Sequence, residues 1–365
     1  MSKHRKLKRR NLAFSLAIAL AMSLTGLTVR ALLPSGQSNE AFASSDHDWR
    51  NHHEHLWKKH DKPAKTAKPT SSATLSPTPT SSQQQPSTTP TPTAAPSSST
   101  QQVAPTSTAG LSWSAPALSS PVVMQLTDGT GSLKLSTSKD YVLKLATDKP
   151  VYLPQGLDIT GGHNVVVIGG QVDVRDGYQA SNGEATRRGM YLKGQTGTVY
   201  IEGVRFSSTT TGTLTEGIDL DQRLGAQVVL QNVRIDHLKG SYATNHADGL
   251  QTWAGPRKLL IDGLSIDTDY QGMFLLPNQH FTGPAPELFD LRNISIVGQP
   301  GSGYMLWKDS QNFPVKVTNV QVKPGSHTLT DRGSYLWPKT NPVWDPVIAT
   351  TQPTTTATTA GTSYR

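Results

Sequence analysis

The feature that most constrains this chain is a short apolar-alternating run that recurs about every thirty residues. The copies are Val166-Val167-Ile168, Val199-Tyr200-Ile201, Val228-Val229-Leu230, Leu259-Leu260-Ile261, Phe289-Asp290-Leu291 and Val315-Lys316-Val317. Two residues after each comes Gly or Asn, at Gly170, Gly203, Asn232, Gly263, Asn293 and Asn319, with steps of 33, 29, 31, 30 and 26. Most copies then continue apolar-x-apolar, as in Val233-Arg234-Ile235 and Ile294-Ser295-Ile296. A second series lies between them, each copy opened by glycine: Gly189-Met190-Tyr191-Leu192, Gly217-Ile218-Asp219-Leu220, Gly249-Leu250-Gln251-Thr252, Gly272-Met273-Phe274-Leu275 and Gly303-Tyr304-Met305-Leu306. Two interleaved strand series at this period exclude hairpin-linked barrels, whose strands follow one another after a few turn residues. They predict a parallel solenoid, in which each coil stacks on the last and buries an inward column of side chains. Gly and Asn sharing one corner suit a backbone with positive φ, and stacked Asn side chains can hydrogen-bond from coil to coil.

The segment able to form this solenoid is 111–345. Its first thirty residues and the Tyr335, Trp337 and Trp344 region are expected to cap the two ends. What precedes it has a different composition. Residues 1–43 carry seven basic groups against one acidic, and an apolar stretch runs from Leu12 to Val29. That is the pattern of an export signal, read either as a cleaved peptide or as an uncleaved membrane anchor. Residues 44–110 form a linker that begins rich in His and Lys and ends in Ser, Thr and Pro. It has too little apolar surface to offset its ordering entropy and is expected to be disordered. A Thr-rich tail of the same kind occupies 346–365.

This partition changes the meaning of the formal charge of +8. Within 111–345 the counts are 20 basic and 21 acidic groups, so the foldable part lacks the basic excess of a nucleic-acid binder. Nucleic acid is therefore not an expected partner. The expected location is secreted or extracellular, with membrane contact only through an uncleaved N-terminal segment, and the expected state is a monomer. The chain contains no cysteine, so any exported fold must stand without disulfides.

From Tyr141-Val142-Leu143-Lys144-Leu145, through Gly161-Gly162-His163-Asn164-Val165 and the coils to about residue 325, the sequence resembles the pectate-lyase-like, single-stranded right-handed β-helix superfamily. The resemblance implies an all-β, right-handed parallel β-helix. Val233-Arg234-Ile235-Asp236-His237, followed by Asp248-Gly249-Leu250, is similar to segments of calcium-dependent pectate lyases. It departs from them at Arg234, where that family has Trp, and at Thr252, where it has a calcium-binding Asp. That family's Arg-x-Pro-x-x-Arg segment is missing, as are the Asp-Asp pair and Gly-His-Gly segment of polygalacturonase-type hydrolases.

Alternation from each opening glycine predicts an outward column of Tyr191, Asp219, Gln251, Phe274 and Met305, beside a second of Lys193, Asp221, Trp253, Leu276 and Trp307. Rings stack on sugar faces and amides or carboxylates fix hydroxyls, so Gln251, Trp253, Trp307, Arg223 and Lys308 are the candidate glycan-binding residues. The same rings would equally suit packing under long loops. Asp219, Asp221 and Asp248, with His246, are the candidate catalytic groups. Crowded carboxylates either share protons or hold a hard cation, which makes Ca²⁺ at Asp219 and Asp221 the candidate metal site. Two functions follow. One is a polysaccharide lyase or glycoside hydrolase; the other is a non-catalytic surface module that binds a polysaccharide or cell-wall glycan.

Overall fold

The computed structural model describes residues 111–154, 156–174, 188–208, 214–241, 246–309 and 311–353. The signal segment, the linker, Asn245 and most of the Thr-rich tail lie outside the described residues. Those described are nearly all strand, with two three-residue 3-10 turns as the helical content among them. They wind into a right-handed parallel β-helix of about six turns, as the repeat and the resemblance lead one to expect.

Two parallel sheets line the coil. The long sheet stacks Val122–Gln125, Tyr141–Lys144, Val165–Asp173, Thr198–Ser207, Gln227–Leu238, Lys258–Thr268, Leu288–Gly298, Val315–Pro324 and Ile348–Ala349 in that order, with Val151–Tyr152 pairing beside the third. The short sheet stacks Leu133–Leu135, Leu157–Gly161, Arg188–Lys193, Glu216–Asp221, Asp248–Ala254, Gln271–Leu275, Leu306–Lys308 and Leu336–Trp337. Among the described residues every strand pairing is parallel, one coil to the next.

The corner residues explain why the long strands bend. Gly170, Gly203, Asn232, Gly263, Asn293 and Asn319 all have positive φ, which folds each of these long strands into two arms. On the first arm Val199, Val228, Leu259 and Phe289 pair in register and point inward. Past the corner Val233, Leu264, Ile294 and Val320 do the same. Met190, Ile218, Leu250, Met273 and Leu306 close the third side from the short sheet. Each such side chain contributes about 1.5–3 kcal/mol of burial, repeated coil after coil. Asparagine adds a ladder of its own. Asn319 donates to Asn293 Oδ1 at 2.7 Å, and Asn293 donates to Asp262 Oδ1 at 2.6 Å.

The ends are built differently from one another. Within the segment expected to cap the N-terminal end, Val122–Gln125 and Leu133–Leu135 form the first strands of the two sheets. The ten residues before them run as a strap over the outer face of the long sheet. Trp113 exchanges backbone hydrogen bonds with the Gln231 side chain at 3.0 and 2.8 Å, and its ring lies under the Arg292 guanidinium. Ser119 N reaches Asp140 Oδ2 at 2.7 Å, and Leu118 packs with Val166, Tyr200, Val229 and Leu260. At the other end Trp344 and Tyr335 are buried under the last coil, and Leu336–Trp337 adds a final rung to the short sheet.

Candidate functional site

The outer face of the short sheet carries the chemistry. Tyr191, Asp219, Gln251, Phe274, Trp307 and Trp337 occupy one register column on consecutive rungs. The expected column holds through Phe274 and then shifts. Met273 pairs with Leu306 and Phe274 with Trp307, so Met305 is buried in the core and Trp307 takes the outward place. Lys193 and Asp221 share the neighbouring column as expected, but a register shift between Thr252 and Ala254 moves Trp253 out of line.

Gly249 shows how a second outward row arises. A Cβ there would meet Ile266 Cγ2 at 2.6 Å, inside the core, and at Gly272 it would meet Ile296 Cγ2 at 2.8 Å. Glycine and the apolar residue after it thus both face inward, which leaves the residue before the glycine on the outside. Those residues are Arg188, Glu216, Asp248 and Gln271, with Arg188 opposite Glu216 and Asp248 opposite Gln271. Strict alternation from the glycine misses Arg188 and Glu216. The signal that would have found them is the recurrence of a polar residue immediately before each opening glycine.

Arg188, Glu216, Asp219 and Asp248 form one cluster. The Arg188 Nε sits 2.5 Å from Glu216 Oε2 and also contacts Asp219 Oδ2. Asp219 and Asp248 are sealed from solvent, at 0% and 2% exposure, while Arg188 and Glu216 are only largely covered. Burial, and then the neighbouring Glu216 charge, push both aspartates well above the usual carboxylate range, against the lowering pull of Arg188 on Asp219. Burial works to lower the Arg188 value, but the Asp219 and Glu216 charges outweigh it and hold the guanidinium charged. Asp248 Oδ1 has no hydrogen-bond partner among the described residues. Burial of the two aspartates beside Glu216 thus favours their protonated forms.

A roof lies over this cluster. The Arg188 guanidinium stands 5.5 Å from the Tyr191 ring and 5.1 Å from the Trp253 ring, and those rings are 5.4 Å apart. Trp253 Nε1 donates to Gln251 Oε1 at 2.9 Å, and Gln251 donates to Gln279 at 2.9 Å. His280 meets Trp253 edge-on at 5.1 Å, and its burial lowers its pKa. Asp221, also fully buried, is held by both nitrogens of the Arg223 fork at 2.8 and 2.6 Å, and that guanidinium lies 3.5 Å from the Phe281 ring.

Of the remaining candidates, His246 packs against the Tyr270 ring at 5.2 Å. Lys308 points away from the Trp307 face. Its ammonium donates to the backbone oxygens of Asp309 and Gln311 at 3.1 and 2.7 Å and lies 4.1 Å from the Phe313 ring. The Asp236-His237 segment that resembles a lyase segment lies on the long sheet instead. There Asp236 accepts from Arg205 and Arg234, and His237 Nε2 is 2.5 Å from Asp269.

Calcium does not fit the residues present. Where a cation would bind, Asp219 already meets Arg188 and Asp221 is filled by Arg223. Thr252, at the position of the lyase calcium aspartate, faces the core and is fully buried. Among the described residues no group of three or more His, Cys, Asp or Glu is arranged to hold a metal ion.

Toward the C-terminal end the face becomes aromatic. Phe274 and Trp307 meet at 5.2 Å, Tyr304 and Trp307 at 4.8 Å, and Trp307 and Trp337 at 5.5 Å with planes 39° apart. Trp253, Tyr304, Trp307 and Trp337 are each partly exposed. These features define a parallel β-helix protein with one ring-rich face. Comparison with protein-family models, with curated proteins and with solved structures returns no match.

Proposed function

We propose that this protein is an exported, divergent member of the pectate-lyase-like β-helix superfamily that binds polysaccharide along the outer face of its short sheet. The observation that carries this reading is the set of partly exposed rings Trp253, Tyr304, Trp307 and Trp337 on this face, beside the buried Gln251 and Phe274 of the same column. Rungs repeat about every 4.8 Å. A linear polymer laid along the axis therefore meets rings in sequence, which is how sugar faces are engaged. Binding without cleavage is favoured because Asp219, Asp221 and Asp248 are buried and cannot touch a polymer outside the coil.

The N-terminal basic cluster and apolar stretch support export, and the Ser/Thr/Pro-rich linker supports display away from the membrane. Fractionation of the producing cells checks this. Full-length chain confined to the cytosol would contradict it.

Incubating the full chain with a panel of polysaccharides, followed by sedimentation and product analysis, tests the main reading. Retention with no new reducing or unsaturated ends is the expected result, and failure to bind any polymer overturns it. A second reading, a polysaccharide lyase or hydrolase, is favoured by the Arg188, Glu216, Asp219 and Asp248 cluster, because proton-holding carboxyls beside a cation recur at sites of acid catalysis. Products that appear with the native chain and vanish in Asp219→Asn would establish that reading instead.

A further inference from the structure

We infer, on the reading that this face binds glycan, that the ligand is a neutral polysaccharide and not a polyuronate or a sulfated polymer. A polyanion needs free cations, above all an arginine fork open to a carboxylate or sulfate. Among the described residues of the short sheet's outer face, the forks of Arg188 and Arg223 are both taken. Arg223 is engaged at both nitrogens by Asp221 and stacked on Phe281, and Arg188 is shared between Glu216 and Asp219. Recruiting either guanidinium would strand a buried carboxylate, which is the expensive way to break an ion pair.

The register column at the aromatic end of the face holds no charged side chain. Gln251, Phe274, Trp307 and Trp337 form the column, and the Gln251 amide is fixed by Trp253 and Gln279. Lys308, the cation nearest in sequence, turns to the backbone oxygens of Asp309 and Gln311 on the other side of its strand. Lys193 is left at the opposite end of the face, in register with Asp221, as a single ammonium without the fork geometry of an arginine. Rings and amides suffice for a neutral sugar, whose axial C–H groups and hydroxyls need neither counterion nor metal.

The experiment compares binding of the full chain to neutral polymers, such as a β-glucan, xylan and chitin, with binding to polygalacturonate and alginate, at low and high salt. At least one neutral polymer is expected to bind, with Kd changing less than about twofold between the two salt levels. The acidic polymers are expected to bind at least about tenfold more weakly. Trp307→Ala should weaken the neutral interaction by about tenfold, and Trp307→Tyr should recover most of it. Far-UV circular dichroism would confirm that both variants keep the strand signal. Tighter, salt-sensitive binding of the acidic polymers would overturn this inference while leaving the glycan reading standing. Binding of neither class would remove both.

Discussion

Proton affinity at two side chains sets the energetics of the cluster. Asp219 and Asp248 bind protons more tightly in the folded chain than in the unfolded one, because burial and Glu216 disfavour their charged forms. Their contribution is therefore complete below the unfolded value of about 3.9 and is lost as pH rises through the raised folded values. Asp248→Asn removes one such group without changing its shape. The variant is expected to melt higher than the native chain at mildly alkaline pH and to lose less stability between acid and neutral pH. A thermal melt series across pH checks this, and an unchanged slope would contradict it. Arg188 acts in the opposite sense. Arg188→Met leaves Glu216 and Asp219 without their cation and should cost about 3–5 kcal/mol at neutral pH. The cost should shrink in acid, where the carboxyls are protonated. Denaturant titration at the two pH values measures both terms.

Elements register a different part of the account, the corner that bends each long strand. Asn293 has φ of 51° and hydrogen-bonds to both Asp262 and Asn319. Asn293→Ala must hold a left-handed backbone at about 1–2 kcal/mol and also forfeits the ladder, whereas Asn293→Gly forfeits only the ladder. The alanine variant should thus be clearly the less stable of the two by urea midpoint. Equal midpoints would mean that the backbone angle carries no cost.

The strap gives a second element-scale prediction. Trp113→Ala uncovers the outer face around Tyr200, Val229 and Leu260 and should cost about 1–3 kcal/mol while raising binding of a hydrophobic dye. An unchanged melt and dye signal would show that the strap does not hold the sheet.

The corners also mark where the sequence was readable. Six turn positions spaced by 26 to 33 residues stand out because Gly and Asn most readily hold the angle they need. The outward column was legible from Tyr191 to Phe274 for the same reason, since inward neighbours must be apolar. It failed at the Leu306–Lys308 rung, where Gly303 is not the register partner of Gly272 and Trp307, not Met305, faces out. Local alternation cannot reveal a two-residue slip when the loop between coils changes length. Arg188 and Glu216 were hidden by a related effect, a glycine whose absent Cβ leaves two successive positions facing the core.

At the scale of the whole molecule, a solenoid of about six turns places its dry carboxylate cluster and its ring-rich end on one continuous face. The strap lies on a different sheet, so the chain's own N-terminal segment leaves that face uncovered among the described residues. Near-neutral charge over 111–345 fits a ligand held by contact and hydrogen bonds more than by field. The account stands or falls on where a glycan sits. A crystal structure of the full chain with an oligosaccharide of the best-binding polymer locates it directly. The account predicts sugar rings along Trp253, Tyr304, Trp307 and Trp337, with the axis of the oligosaccharide parallel to the stack of coils. Sugar bound on the long sheet, or across the strap, with the short-sheet face empty, would contradict it.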